Sequence, residues 1–413
     1  MAGFSWAKPT AEVVRGNFTE PWDWEDADGF KVNQLGHPYQ GSLYFNAGRA
    51  NGFGFYESFL FSTLGSALWE TFGEGQHASI NDFITTAAAA APLGEMTHRL
   101  FLEAQTLGLP RGAAFLVSPM DGFNFLISGR TGREVKGRGE NLYELSFFTG
   151  AGWSAVRARE DTARAKELFS FSGPSGNLGL RAVYGDPFGT AGSVPYEHFE
   201  LSAFFGMDII NYIDIRVISD AYLLSFVPVD TEKDALSTGL SLHFDFMSLG
   251  DIHIHDSTID QSSTALDWSA KYLRRFREDL FLTLKLHGGF TFLGVSDYYS
   301  PFTEDTSLKN YGLGTNVKCY IDLEHQNRGR FSLALAHYWI RTLPSVTAIR
   351  RPPGGSAGDA FWLYIDAAYS RRISGRFSAG IALSLAREWG RTAEFPGTRK
   401  GAATARTFIM WSR

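Results

Sequence analysis

The sequence predicts a transmembrane, outer-membrane type antiparallel β-barrel of about twelve strands, preceded by an N-terminal α-helical hairpin placed to plug or cap it. Three observations predict this class. From about residue 140 the hydrophobic pattern has a period of two. The connections between the alternating segments are sorted into short and long ones. The most apolar stretches, 58–69 and 83–94, run only 12 residues between charges, against the ~20 that a membrane-crossing helix needs. The chain divides into an extended lead-in (1–34), the helical hairpin (35–106), a connecting segment (107–139) and the barrel (140–413).

The alternation is cleanest over 313–324. Leu313, Thr315, Val317, Cys319, Ile321 and Leu323 fall on one face, and Gly314, Asn316, Lys318, Tyr320, Asp322 and Glu324 on the other. Segments 280–287 and 240–246 repeat it, as do 266–273, 361–370 and 377–386. Such alternation marks a strand with one apolar and one polar face. Strands are expected at 140–157, 176–186, 195–207, 211–228, 236–247, 262–274, 279–294, 307–324, 330–342, 360–371, 376–390 and 402–413, with Ser219–Asp220 read as a hairpin turn or a bulge.

In the C-terminal half, tight turns at Arg277–Asp279, Asn327–Gly329 and ISGR alternate with the long loops DYYSPFTEDTS, IRRPPGGSAG and TAEFPGTRKG. Outer-membrane barrels sort their connections this way, with short periplasmic turns and long extracellular loops. The polar strand faces would then line a lumen of both signs: His243, Asp245, Asp267, Lys271, Lys285, His287, Lys318, Asp322 and Glu324. A twelve-strand barrel encloses more space than strand side chains are expected to fill, hence the plug.

The helical region has its own signals. One helix runs from about Phe53 to Phe72 and ends at Gly73 and Gly75. A second starts at Ser79, an N-cap with Asp82 three residues on, and reaches Ala104, with Pro92 expected to bend or split it. Gly54, Ser58, Ser62 and Ser66 form a row of small residues that lets the second helix, through Ala87 and Ala91, approach closely. Carboxylates in such helices need partners, so Arg49, Asn81, Asp82, Glu95 and Arg99 are expected to form a polar network. His37 with Glu57 or Glu70 is the alternative, a general acid–base pair.

Composition narrows the function. With 38 basic and 44 acidic residues the net charge is −6, and no basic block suggests a nucleic-acid partner. The single cysteine, Cys319, excludes an internal disulfide and makes a zinc–thiolate site unexpected. MAGFSWAKPTAEVV lacks the basic start and apolar core of a signal peptide, which leaves either a cytoplasmic protein or a numbering that begins after cleavage. No Walker loop, HExxH, GxSxG or paired CxxC is present, and GRGE (137–140) and PPGG (352–355) read as turns. EMTH at 95–98 is half of a di-iron motif whose second copy is missing, so no metal or cofactor is expected.

The runs NQLGHPYQGSLYFNAGR, ESFLFSTLGSALWETFGE, SINDFITT and LGEMTHRL resemble an uncharacterised bacterial domain-of-unknown-function family of envelope proteins. Its pattern is HPxxGxxYxNxxR, a WExxGE-like helix end and SINDxxTT…GE. The matching positions are His37, Pro38, Gly41, Tyr44, Asn46, Arg49, Glu57, Trp69, Glu70, Ser79, Asn81, Asp82 and Glu95, and SPMDGFNFLISGR and NYGLG fit as well. The resemblance implies an exported protein with a C-terminal β region and brings no reaction. The expected function is therefore a plugged or gated pore, or an envelope-maintenance protein, in the bacterial outer membrane. It would act on a small solute or lipid, with outer-membrane lipids and the barrel-assembly machinery as partners. The alternatives are an outer-membrane lipid hydrolase or acyltransferase using His37, and a soluble β-barrel binding protein.

Overall fold

The computed structural model describes residues 8–24, 28–106, 115–128, 141–160, 167–189, 194–209, 212–251, 258–298, 308–342, 358–392 and 397–413. GRGE, PPGG and most of the three long C-terminal loops lie outside them. The chain forms two compact units that part between Leu142 and Tyr143.

The first unit is a helical bundle, richer than a hairpin. The lead-in is not extended: Thr10 caps a helix, α1 (Ala11–Thr19), by accepting the Val13 N–H at 3.2 Å. A π-helical turn at Val32–Gly36 runs into α2 (His37–Ala50), a helix that the residue pattern does not announce. His-Pro and three glycines or serines in HPYQGSLYFNAGRA lower helix propensity. Tertiary packing overrides it. Pro38 follows the π-helical turn directly, and that wide turn coincides with the carbonyls its missing N–H cannot bond. Gly41 lets the backbones touch, since a Cβ there would lie 1.8 Å from the Thr86 carbonyl oxygen.

The next helix, α3 (Phe55–Leu68), continues through a π-helical turn at Trp69–Gly73. Ser58, Ser62 and Ser66 are fully buried, and Ser62 and Ser66 donate to the carbonyls of Ala87 and Phe83 at 3.4 and 3.3 Å. The opposite face of α3 exposes Tyr56, Leu60, Leu64 and Leu68. Ser79 caps α4 (Ile80–Ile84) through the Asp82 N–H, while its own N–H donates to Glu70 at 2.8 Å. Glu70, distant in sequence from the box position, therefore completes this cap. The helix passes through a π-helical turn at Thr85–Ala89 into α5 (Ala90–Thr106) without breaking at Pro92. The wide turn coincides with the carbonyls that Pro92 cannot bond. Pro119–Ser128 forms α6 within the segment expected to be a connector.

The second unit is a closed antiparallel barrel. Its strands are β1 (Leu142–Glu160), β2 (Glu167–Phe171), β3 (Ser175–Tyr184), β4 (Phe199–Asp208), β5 (Tyr212–Asp230) and β6 (Asp234–Asp251). They continue as β7 (Ile259–Arg277), β8 (Leu280–Tyr298), β9 (Leu308–His325), β10 (Gly329–Thr342), β11 (Gly358–Ser374), β12 (Phe377–Thr392) and β13 (Thr398–Ser412). Each strand pairs with its sequence neighbour, and β13 closes on β1 from Ser146↔Ser412 to Glu160↔Thr398. Because β2 and β3 lie in tandem along the same edge of β1, the 13 segments make 12 staves. Ser219–Asp220 is neither turn nor bulge. It lies inside β5, whose register shifts against β6 fall at Tyr222/Leu224 and Phe226/Val229.

Short turns at 231–233, 278–279, 326–328 and 375–376 share one barrel end with both chain termini of the barrel. Gly375 makes the ISGR turn in the left-handed region, φ +51°. The sorting fails early in the barrel, where the three-residue 209–211 connection sits at the long-loop end. The outer face carries the apolar half of the alternation: Ile381, Leu383 and Leu385 are exposed, while Ala382, Ser384 and Ala386 between them are buried. Leu178, Trp268, Leu286, Phe290 and Val317 continue this belt. An apolar outer surface on a barrel with no free edge is the arrangement that lipid permits.

Candidate functional site

Two groups of buried polar residues emerge, one in each unit. In the helical unit Glu95 is fully buried and meets the Arg49 and Arg99 guanidiniums at 2.7 and 2.8 Å. Burial pushes its carboxyl up, but Arg99 and Arg49 outweigh that and hold it below the usual range. His37 lies beside Asp82 at 3.5 Å and Thr86 at 3.2 Å, and Asn81 donates to Asp82 at 2.8 Å. The carboxylate next to His37 is thus Asp82. Glu57 instead accepts the Gly54 N–H at 2.7 Å, and Glu70 accepts that of Ser79. A third cluster went unread in the sequence: Asp121 accepts from Ser118 at 2.5 Å and faces His98 at 2.7 Å, while Asn46 donates to Ser118 at 3.0 Å. It joins α2, α5 and α6.

The barrel interior has three layers. At the long-loop end Tyr212, Ile259, Tyr338, Ile340, Trp362 and Val156 belong to one buried apolar cluster. Strand side chains thus meet across the lumen, against the expectation that they could not fill it. Tyrosine, tryptophan, lysine and arginine are long enough to span it: Lys400 on β13 reaches the Thr258 carbonyl, just before β7, at 2.9 Å.

The middle layer gathers residues from β5 to β10. Lys318 meets Asp245 at 2.8 Å, and Tyr338 donates to the same carboxylate at 2.9 Å. Asn316 donates to Asp267 at 2.9 Å. His243 and His287 pack edge to face, 5.1 Å between centroids, with Asp220 beside both.

The layer nearest the short turns encloses a cavity of about 270 Å³. One wall is ionic. Glu200 binds Lys271, Lys285 and Arg181 at 2.7, 2.6 and 3.3 Å, and Arg330 bridges Asp322 (3.0 Å) and Glu144 (3.4 Å). The other wall is aromatic. Phe148 stacks on Phe204 at 6.1 Å and meets Phe408 at 6.0 Å, and Arg216 and Arg406 lie over Phe204 at 4.9 and 5.0 Å. Arg216 pairs with Asp214, and Arg406 with Asp366 at 2.7 Å. The cavity can therefore present hydrogen bonds and a π face to one small molecule.

Of the residues expected to line the lumen, His243, Asp245, Asp267, Lys271, Lys285, His287, Lys318 and Asp322 are buried, with Lys285 and Asp322 lining the cavity itself. Glu324 shares their face of β9 but is exposed, one residue from the strand end. Asp220, Glu200, Arg181, Arg216 and Asp366 were not singled out in the sequence. Asp220 was hidden by being read as a turn, and β3 and β4, expected as strands, carry no clean polar face from which Arg181 or Glu200 could be read.

A family model described as a domain of unknown function, DUF3943, matches residues 21–120. No curated protein matches the sequence. Among solved structures the chain is similar to a Pseudomonas aeruginosa FadL homologue, at 8% identity over 66% of this chain and 90% of that one, TM-score 0.29. It is also similar to the Pseudomonas putida toluene transporter TodX, at 8% identity over 66% and 89%, TM-score 0.25. A third is the KdgM porin in complex with disordered oligogalacturonate, at 8% identity over 64% and 98%, TM-score 0.24. The barrel assignment stands on its own strand pairing.

Proposed function

We propose that the protein is a bacterial outer-membrane barrel that holds, and by rearranging its lumen passes, a small amphipathic solute. The cavity carries this reading: an ionic and an aromatic wall face one space of about 270 Å³ inside a closed barrel. The exposed belt from Leu178 to Ile381 supports insertion in lipid. Its partners would then be outer-membrane lipids and the barrel-assembly machinery. If short turns face the periplasm, as in barrels of this class, the cavity faces it too, and the apolar layer closes the outer half. Such a lumen is gated and not an open pore.

The test is conductance in planar bilayers. The wild type should show little steady current. In Glu200→Ala, three cations lose their shared carboxylate, so the small current that passes should shift toward anions while the apolar layer keeps it low. A large ohmic conductance in the wild type, or a protein that stays monomeric without detergent, would sink the proposal. The same assay reads the plug: a current unchanged by deleting residues 35–106 removes that role from the helices.

A further inference from the structure

We propose that the middle layer of the lumen is a binding site for one divalent transition-metal ion, held by Asp220, His243 and His287. The three come from β5, β6 and β8. They are buried, and their ligating atoms lie within 4.8 Å of one another. His287 Nε2 stands 3.4 Å from Asp220, and His243 Nε2 stands 3.9 Å from Asp220 and 3.4 Å from Asp267. These separations are long for charge-assisted hydrogen bonds, which run ~2.7–2.9 Å. The 3.4 Å separations are close to the ligand–ligand edge of a tetrahedron around an ion bound at about 2.0–2.1 Å, roughly 3.3 Å, and the 3.9 Å one would have to shorten by about half an ångström.

The unused atoms point the same way. His287 Nε2, Asp220 Oδ1 and Asp267 Oδ2 have no hydrogen-bond partner among the described residues, and His287 and Asp267 are fully buried. His287 is instead anchored through Nδ1, and His243 is contacted at both nitrogens, its Nε2 lying 3.5 Å from the Ser269 hydroxyl. His243 Nδ1 lies 3.0 Å from the Ser219 carbonyl and His287 Nδ1 lies 2.7 Å from the Ser269 hydroxyl. When His287 donates from Nδ1 to the Ser269 hydroxyl, its Nε2 lone pair faces Asp220, the arrangement found behind metal-bound histidines. His243, whose Nδ1 also meets the Lys318 ammonium at 2.8 Å, takes the same form once that lysine turns to Asp245 alone. Asp267 lies beside His243 but outside this three-residue group, and its other oxygen is held by Asn316 at 2.9 Å. Nitrogen and carboxylate donors without thiolate suit zinc, cobalt, nickel or iron(II). Asp220 lines the cavity, which provides the access route. Two lysines oppose the ion. Lys318 Nζ approaches His243 Nδ1 at 2.8 Å and Lys271 Nζ approaches Asp220 at 3.6 Å, each retaining its own carboxylate, Asp245 or Glu200.

Cobalt(II) titration of the full chain in detergent, after chelator treatment, tests the site without any transport readout. Folding is verified by heat-modifiable gel mobility. The expected result is one Co²⁺ per chain with tetrahedral d–d absorption, displaced by Zn²⁺. His287→Gln and Asp220→Asn should weaken binding at least tenfold, while His325→Gln, at the β9 end, should leave it unchanged. Lys318→Met, which removes the charge opposing the ion, should tighten binding and keeps the test open should a ligand variant not fold. No uptake by the folded wild type, equal uptake in the ligand variants, or weaker binding in Lys318→Met overturns the assignment.

Discussion

Glu95 in the helical unit and Glu200 in the barrel each hold several cations, yet they do different work. Glu95 is pinned between Arg49 and Arg99, on α2 and α5, at 2.7 and 2.8 Å. Glu200 is shared by Lys271, Lys285 and Arg181 from three other strands, and it fronts a cavity. The first arrangement fixes how helices pack. The second joins long side chains from four strands around a cavity, where on the proposed function they would exchange partners when a solute enters. On the proposed function, buried charge therefore marks architecture in one unit and a binding lumen in the other.

The largest expected effect breaks the helical side of this contrast. Glu95→Gln leaves two guanidiniums without their carboxylate and should cost about 3–5 kcal/mol, read as loss of protease resistance of the helical unit. Its pH dependence has a fixed sign. The carboxyl is held below the usual range in the folded state, so its contribution is complete above the unfolded value, about 4.3, and is lost as pH falls through the lower folded value. The variant should show a flatter acid limb than the wild type. An equal acid sensitivity in both would remove Glu95 as the source.

The next effect tests the barrel wall. Leu383 is 61% exposed on β12, beside the buried Ser384. Arginine at 383 should cost about 2–4 kcal/mol if the position faces the bilayer midplane, measured by urea unfolding in lipid vesicles. A soluble barrel would tolerate or favour it. Leu383→Arg thus separates the two readings at one site.

These two sites also show what the sequence could reveal. Period-two alternation located the 12 staves, because a strand with one face in lipid and one in the lumen must write both faces into its residues. It placed Lys318 and His287 inside for the same reason. It could not show that β2 and β3 share an edge of β1, nor that Asp220 continues a strand, since pairing is a tertiary property. In the helical unit α3 and the Ser79 cap were legible from spacing, whereas α2 was not. Its glycines look like breaks until the helix they touch is present. Likewise no spacing rule joins Glu70 to Ser79 or His37 to Asp82.

Gly41→Ala measures that hidden packing. A Cβ 1.8 Å from the Thr86 carbonyl forces α2 away from the α4–α5 helix. Overpacking of this kind should cost about 1–3 kcal/mol, seen as a lower denaturation midpoint of the full chain. Gly29→Ala, where an added Cβ meets nothing within 4 Å, is the control.

The smallest effect decides what Glu57 does. Its carboxylate accepts the Gly54 N–H at 2.7 Å in an exposed first turn of α3. Water can replace that bond, so Glu57→Gln should cost only about 0.5–1 kcal/mol and leave the bilayer current unchanged. A cap and a general acid make opposite forecasts here. If the protein turned over lipid and Glu57→Gln abolished that turnover at unchanged stability, Glu57 would be a catalyst. The helical unit would then hold a reactive site, and its contrast with the lumen would have to be redrawn.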